Sequence, residues 1–181
     1  MIAFAKLSGL KVLILVTGLK SMVGTIRRCE KYGVEAGAFY GEQQDTTKQI
    51  TVAVDDSLYN ACKKGGRAFQ KFAKHECQVL IMDECHHLPA ATWSISAAYF
   101  EALYRFGFSG SPFASQEDLE YSDMQLIGLT GEVIAQVPAW YLIEQGLLAR
   151  PIVTMIECRY PKLFSGNTNW RYCYPQGIVQ N

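Results

Sequence analysis

Two uninterrupted apolar runs constrain the fold of this chain more than any other feature of its sequence. Residues 12–16 read V-L-I-L-V, and residues 78–82 are apolar at every position after the first. A strand with one face in water alternates apolar and polar residues, whereas a strand covered on both faces shows a continuous apolar run. The chain must therefore place other secondary structure on both faces of these two strands.

Helical stretches alternate with short apolar runs along most of the chain. Further strands are predicted at residues 36–40, 50–54, 105–108, 132–136 and 151–158. Helices are predicted at residues 19–32, 57–62, 67–74, 92–103 and 138–144. This alternation favours an α/β fold with a mainly parallel sheet, right-handed crossovers and helices on both faces.

The predicted sheet also indicates where functional side chains should lie. Parallel strands all end at the same edge, and the loops that carry function follow the carboxyl ends of the strands. We therefore expect four loops to lie side by side along one edge of the sheet: residues 17–21, 55–57, 83–87 and 109–112.

Composition excludes several classes of protein. The 181 residues are 49% hydrophobic, and their 17 basic and 17 acidic side chains cancel. This excludes a disordered tail and a protein that coats nucleic acid through bulk positive charge, so any nucleic-acid contact must come from a local patch. Six scattered cysteines without a C-x-x-C pair favour a reducing compartment. Lys6 and Lys11 interrupt the apolar start of the chain, which argues against a signal peptide or a membrane span.

The most informative segment for chemistry is V-L-I-M-D-E-C-H-H at residues 79–87, where a buried strand ends in two adjacent carboxylates, Asp83 and Glu84. Nucleoside-triphosphate hydrolysis needs one acid to hold Mg²⁺ through its water shell and another to orient or deprotonate the attacking water. Period-2 alternation directs the two side chains apart, so they can perform different tasks. For an Asp-Glu pair alone, a polar strand end that leads into a turn is the alternative.

The segment D-E-C-H-H-L-P-A at residues 83–90 resembles motif II, the DEAD/DEAH-type box, of superfamily 2 helicases. The likeness is strongest to the phage and type III restriction-enzyme-like branch. Residues 15–21 resemble motif Ia, and residues 50–58 resemble motif Ib. Residues 108–112 resemble motif III, and residues 130–149 resemble the C-terminal part of the first motor lobe. The resemblance implies a RecA-like ATP-binding lobe over residues 1–158, with residues 159–181 an irregular tail or the start of a further segment.

The resemblance implies a role for each residue of the box and of motif III. Asp83 would bind the Mg²⁺ of MgATP through water, and Glu84 would be the catalytic base. His86 would lie between the nucleotide and motif III. Ser109 and Ser111 would couple the state of the nucleotide to the grip on nucleic acid.

Three further residues would contact the sugar-phosphate backbone of a nucleic-acid strand: Thr17, Lys20 and Ser57. The alternatives are ordinary loop hydroxyls and a solvated lysine. Adjacent Asp55 and Asp56 depart from the motif Ib pattern and would repel a phosphate backbone, which weakens the assignment of Ser57.

One element of the family is absent from the sequence. No G-x-x-x-x-G-K-[ST] stretch occurs, so the loop that cradles the phosphates is not present in these residues. Residues 2–7 resemble the remainder of the helix that follows this loop. We expect an N-terminally incomplete lobe in which a strand beside residues 12–16 or 78–82 is missing. The phosphate-binding (Walker A) segment and a second motor lobe with its arginine finger would come in cis or in trans.

The predicted function is part of an ATP-dependent helicase or translocase motor that uses ATP and Mg²⁺. DNA is expected more than RNA, with no membrane partner, in the cytoplasm of a bacterial cell or a phage-infected host. The chain alone is expected to be inactive. The alternative is a non-catalytic fragment that binds nucleic acid or a protein partner and cannot hydrolyse ATP.

A run of basic residues at three- and four-residue spacing admits two interpretations. It comprises Lys63, Arg67, Lys71 and Lys74. Such a run could grip phosphates, but a solvated helix face is the commoner cause of the pattern.

Overall fold

A six-stranded sheet organises the part of the chain that the computed structural model describes, which is residues 1–113 and 118–154. The strands are β1 (Val12–Val16), β2 (Ala36–Tyr40), β3 (Gln43–Gln44), β4 (Ile50–Val54), β5 (Val79–Asp83) and β6 (Tyr104–Phe108). Their spatial order is β3-β2-β4-β1-β5-β6. All neighbours are parallel except β2 and β3, which form a short antiparallel hairpin.

Helices connect these strands. They are α1 (Ile2–Ser8), α2 (Leu19–Lys31), α3 (Asp55–Lys64), α4 (Arg67–Lys71), α5 (Ala91–Tyr99), α6 (Tyr121–Thr130) and α7 (Ala139–Glu144). A π-helical turn, Phe72–Glu76, continues α4, and a 3₁₀ turn, Cys85–His87, follows β5. The chain divides into two compact units, Met1–Ile134 and Ala135–Asn181, and the whole sheet lies in the first.

The core has two layers because successive strand residues point to opposite faces of the sheet. Leu13 and Leu80 pack with residues of α3, α4, α5 and α6 on one face. Ile14 and Ile81 pack with residues of α1 and α2 on the other. Every residue of β1 and β4 is buried, which explains the continuous apolar sequence of β1 and the apolar sequence of β4, where Thr51 alone is polar. The prediction of an α/β fold with a mainly parallel sheet covered by helices on both faces is confirmed.

One predicted helix ends earlier in the structure, and one helix was not predicted. The helix predicted to reach residue 103 ends at Tyr99, because Phe100 is extended (φ −81°, ψ 137°) and the chain turns there toward β6. The helix α6 lies where the sequence analysis expects only a polar loop. It begins with a capping box in which Glu120 and Asp123 each accept a hydrogen bond from the other's backbone N–H, and it buries Leu126.

The strand predicted at residues 132–136 is wrong. These residues have no regular secondary structure, and Val133 and Ile134 are exposed rather than buried between neighbours. A short apolar run forms a strand only when a partner satisfies its backbone groups, and no strand of the described sheet pairs with these residues. Of the strand predicted at residues 151–158, residues 151–154 are irregular, and the rest lie outside the described residues, as does the predicted domain boundary at residue 158.

The expectation that a strand is missing beside residues 12–16 or 78–82 is also wrong. β1 pairs with β4 on one side and β5 on the other, and β5 pairs with β1 and β6. The edge of the described sheet on this side is β6, where Tyr104 and Phe108 are exposed. Any further strand would therefore add to β6 and not between the central strands.

The second unit is described for residues 135–154. Its helix α7 begins after Pro138 and carries exposed Trp140 and Tyr141, in agreement with the helix predicted at residues 138–144. In the part of the chain that the structure describes, every helix is too short or too polar to span a bilayer.

Replacing Leu80 by alanine tests the two-layer core. Leu80 is fully buried between β1 and β6, so Leu80→Ala should lower the free energy of unfolding by about 2–5 kcal/mol, which urea unfolding measures. Leu7→Ala is the matched control because Leu7 is 85% exposed, and it should change little. Equal losses in the two variants would contradict the assigned core.

Candidate functional site

Four loops lie together at the carboxyl edge of the sheet, as the sequence predicts. Val16 pairs in register with Val54, Leu15 with Met82, and Asp83 with Phe108. The residues that follow these strand ends therefore start from neighbouring positions. They are Thr17, Asp55, Glu84 and Ser109.

The two adjacent carboxylates leave the strand in different directions. Asp83 is the last residue of β5 and is partly buried. Glu84 adopts a left-handed backbone conformation (φ 55°, ψ 49°), and its side chain is 53% exposed. Glu84 is the one non-glycine residue with positive φ in the described part of the chain. This conformation costs about 1–2 kcal/mol, so the turn that exposes Glu84 stores strain at the candidate site.

The electrostatics of Asp83 suit a cation. Burial, reinforced by the adjacent Glu84 charge, raises the pKa of the Asp83 carboxyl. A positive charge placed against Asp83 would reverse this effect because it favours the ionised form. Among residues 1–113 and 118–154, no cluster of three His, Cys, Asp or Glu side chains could hold a metal ion by itself. A single carboxylate such as Asp83 could hold Mg²⁺ only together with water and substrate phosphates, which is the usual arrangement for this ion.

His86 connects the box to the loop after β6. Its Nδ1 atom lies 2.9 Å from Ser109 Oγ and 3.4 Å from Glu84 Oε2. Ser109 Oγ also accepts a hydrogen bond from the Ser111 backbone N–H at 3.2 Å. The structure thus brings Glu84, His86, Ser109 and Ser111 together, although Ser111 contributes its backbone, and its side chain is exposed.

Cys85 fixes the box against β6. The residue is buried, and burial raises the pKa of its thiol. A Cβ atom added to Gly107 would lie 2.8 Å from Cys85 Sγ and 3.1 Å from Thr130 Cγ2. Glycine at position 107 therefore lets the box, β6 and α6 approach one another closely.

The three residues predicted to contact nucleic acid differ in their surroundings. Thr17 and Lys20 are exposed beside the carboxyl end of β1. Ser57 lies in the first turn of α3, where its Oγ accepts a hydrogen bond from the Gly41 backbone N–H at 3.1 Å. Ser57 therefore joins α3 to the β2–β3 turn, and Thr17 and Lys20 are the more accessible of the three.

Sequence reasoning missed Trp93. Its ring is 3% exposed, and its Nε1–H donates a hydrogen bond to Asp55 Oδ2 at 2.9 Å. A buried indole N–H needs an acceptor, so a tryptophan six residues after His87 was a signal that some polar group lies near it. Asp55 is therefore partly buried, and one of its carboxylate oxygens accepts a hydrogen bond from the protein.

The basic run on α3 and α4 is largely compensated by neighbouring side chains. Lys71 pairs with Glu76 at 2.8 Å, and Lys74 pairs with Glu101 at 3.3 Å. Lys63 lies 4.1 Å from the ring centroid of Tyr59. These contacts favour a solvated helix face over a phosphate-gripping patch.

Comparisons with known proteins agree with this architecture. The family model described as "Type III restriction enzyme, res subunit" matches residues 2–114. The DNA 3'-5' translocase XPB2 of Sulfurisphaera tokodaii is 35% identical over 85 residues, which is 47% of this chain and 18% of that protein. The Hef helicase domain of Pyrococcus furiosus superposes with a TM-score of 0.54 at 16% identity, over 71% of this chain and 29% of the other. The chain thus spans about a fifth of the curated relative and under a third of the structural one.

The close approach at Gly107 leads to a prediction about stability. Gly107→Ala should lower the free energy of unfolding by about 1–3 kcal/mol, because Cys85 or Thr130 must move to admit the methyl group. Gly110→Ala is the matched control, since nothing lies within 4 Å of a Cβ atom there. Adding Cys85→Ala to Gly107→Ala should recover part of the loss. Equal stability of the two glycine variants in urea unfolding would show that the contact is not tight.

Proposed function

The chain belongs to the family of type III restriction enzyme res subunits, and we propose that it acts within the first motor lobe of an ATP-dependent helicase or translocase on DNA. The observation that carries this proposal is the arrangement at the sheet edge. Asp83 ends the buried strand β5, and Glu84 follows it directly. His86 lies between Glu84 and Ser109, the residue that follows β6. The name of the 35% identical translocase supports DNA over RNA.

The proposed chemistry divides between the two carboxylates. Asp83 would hold Mg²⁺, which when bound supplies positive charge to the phosphates. Glu84 would accept a proton from the attacking water, and its exposed side chain at the sheet edge leaves room for that water. His86, within 3.4 Å of Glu84 and 2.9 Å of Ser109, would keep the base and the loop after β6 in register.

The phosphates of ATP need a further binding element. The 181 residues contain no glycine-rich loop with its lysine to hold them. We assign that role to another segment, in cis or in trans, whose strand would pair with β6. The exposed Tyr104 and Phe108 on this edge of the described sheet support the assignment, because an unpaired edge is a template for strand addition.

A second candidate function follows from the same missing loop. Without it, the chain could serve as a non-catalytic module that binds nucleic acid or a protein. The exposed Thr17 and Lys20 support nucleic acid as its ligand. The two functions differ in one measurable respect, since only the motor lobe gains MgATP binding when the phosphate-binding segment is supplied.

The role of Glu84 can be tested in an assembled motor that contains this chain, a phosphate-binding segment and a second lobe. Glu84→Gln should reduce ATP hydrolysis by about 10²-fold or more and leave MgATP binding largely intact, because general-base catalysis is worth about 10²–10⁴. Asp83→Ala should instead weaken magnesium-dependent nucleotide binding. Glu42→Gln, on an exposed carboxylate of the β2–β3 turn, is the control. Equal losses of binding and turnover in Glu84→Gln would assign Glu84 a structural role.

The isolated chain provides the complementary test. Residues 1–181 should show no ATP hydrolysis stimulated by single-stranded DNA in a steady-state assay, since neither a phosphate-binding loop nor an arginine finger is supplied. The arginine finger alone is worth about 10³–10⁵ in rate. Turnover by the isolated chain that is lost in Glu84→Gln would overturn the need for a separate phosphate-binding segment.

A further inference from the structure

A partly buried hydrogen bond joins two helices beside the site. Trp93 of α5 donates from Nε1 to Oδ2 of Asp55, the first residue of α3, at 2.9 Å. The indole is almost fully buried, and the carboxylate is partly buried. A hydrogen bond to a charged acceptor contributes about 1.5–3 kcal/mol, so this contact fixes the start of α3 relative to α5.

Trp93 also touches the box on its other side. The ring centroids of His87 and Trp93 are 5.8 Å apart, and those of His86 and His87 are 4.3 Å apart. His86 in turn lies 2.9 Å from Ser109 Oγ. A continuous set of contacts therefore runs from the loop after β6, through the box and Trp93, to Asp55.

The far end of this set is the turn that carries Ser57. Asp55, Asp56 and Ser57 form the first turn of α3, where a carboxylate is favoured by the positive end of the helix dipole. Ser57 holds the Gly41 backbone N–H at 3.1 Å. A displacement of Asp55 would therefore move both the turn of α3 and its junction with the β2–β3 turn.

We propose that Trp93 is a positioning residue that transmits changes at His86 to the first turn of α3 through its hydrogen bond to Asp55. The inference rests on the proposed function, in which His86 keeps the base and the loop after β6 in register, and on the prediction from the sequence that Ser57 contacts nucleic acid. It explains why an acidic residue stands at position 55 of a loop assigned to phosphate contact. Asp55 would serve there as the acceptor of the indole N–H.

Amide and indole NMR resonances of the full ¹⁵N-labelled chain provide the test, without ATP or DNA. His86→Ala should shift the Trp93 indole resonance and the amide resonances of residues 55–57. In a Trp93→Phe background, the same replacement should leave residues 55–57 unshifted, because phenylalanine keeps a ring beside His87 but lacks the N–H. Asp55→Ala should abolish the shift likewise, and Asp55→Asn should restore it, because an amide oxygen still accepts the bond.

The outcomes separate this inference from the proposed function. The transmitting role is overturned if His86→Ala still shifts the resonances of residues 55–57 in both the Trp93→Phe and the Asp55→Ala backgrounds. It is also overturned if His86→Ala, made alone, does not shift them. If Trp93→Phe does not fold, the Asp55→Ala and Asp55→Asn pair decides. A single-stranded DNA oligonucleotide is then titrated in. Binding that shifts residues 84–87 only when Trp93 is present supports the link in both directions, whereas failure of the oligonucleotide to bind counts against the proposed function alone.

Discussion

The site depends on the parallel pairing of four strands, of which β1, β4 and β5 are buried on both faces. The strands β1, β4, β5 and β6 run in the same direction and pair in register. Their carboxyl ends therefore lie at the same edge of the sheet, and each loop begins one strand away from the next. The continuous apolar sequences of β1 and β5 enforce this arrangement, since each needs a helical layer above and below. The chemistry at the edge is thus a consequence of the core.

Within that frame, small groups set the fine spacing. The absence of a side chain at Gly107 allows Cys85 to pack against β6. The box then lies close enough to β6 for His86 to contact Ser109. Aromatic packing extends the arrangement outward from His87 to Trp93. The tolerance is narrow at position 107, because an added methyl group would lie 2.8 Å from Cys85 Sγ even though Gly107 itself is exposed.

The sequence predicts the central elements better than the periphery. Strands buried at every position, such as β1 and β4, have the bounds that their mainly apolar sequences indicate. The strand expected at residues 132–136 is wrong because a short apolar run does not show whether a pairing partner exists. The residues of the box can be recognised from the sequence because they are contiguous. The hydrogen bond between Trp93 and Asp55 joins residues 38 positions apart, and it depends on helix packing that no local pattern encodes.

The left-handed conformation of Glu84 sets a conflict between folding and chemistry. Asparagine adopts this conformation more readily than glutamate does, so the residue best suited to the turn is not the residue suited to accept a proton. A lineage under selection for persistence of the fold alone would drift away from glutamate at position 84. Its retention in a population would therefore support the catalytic role proposed for Glu84.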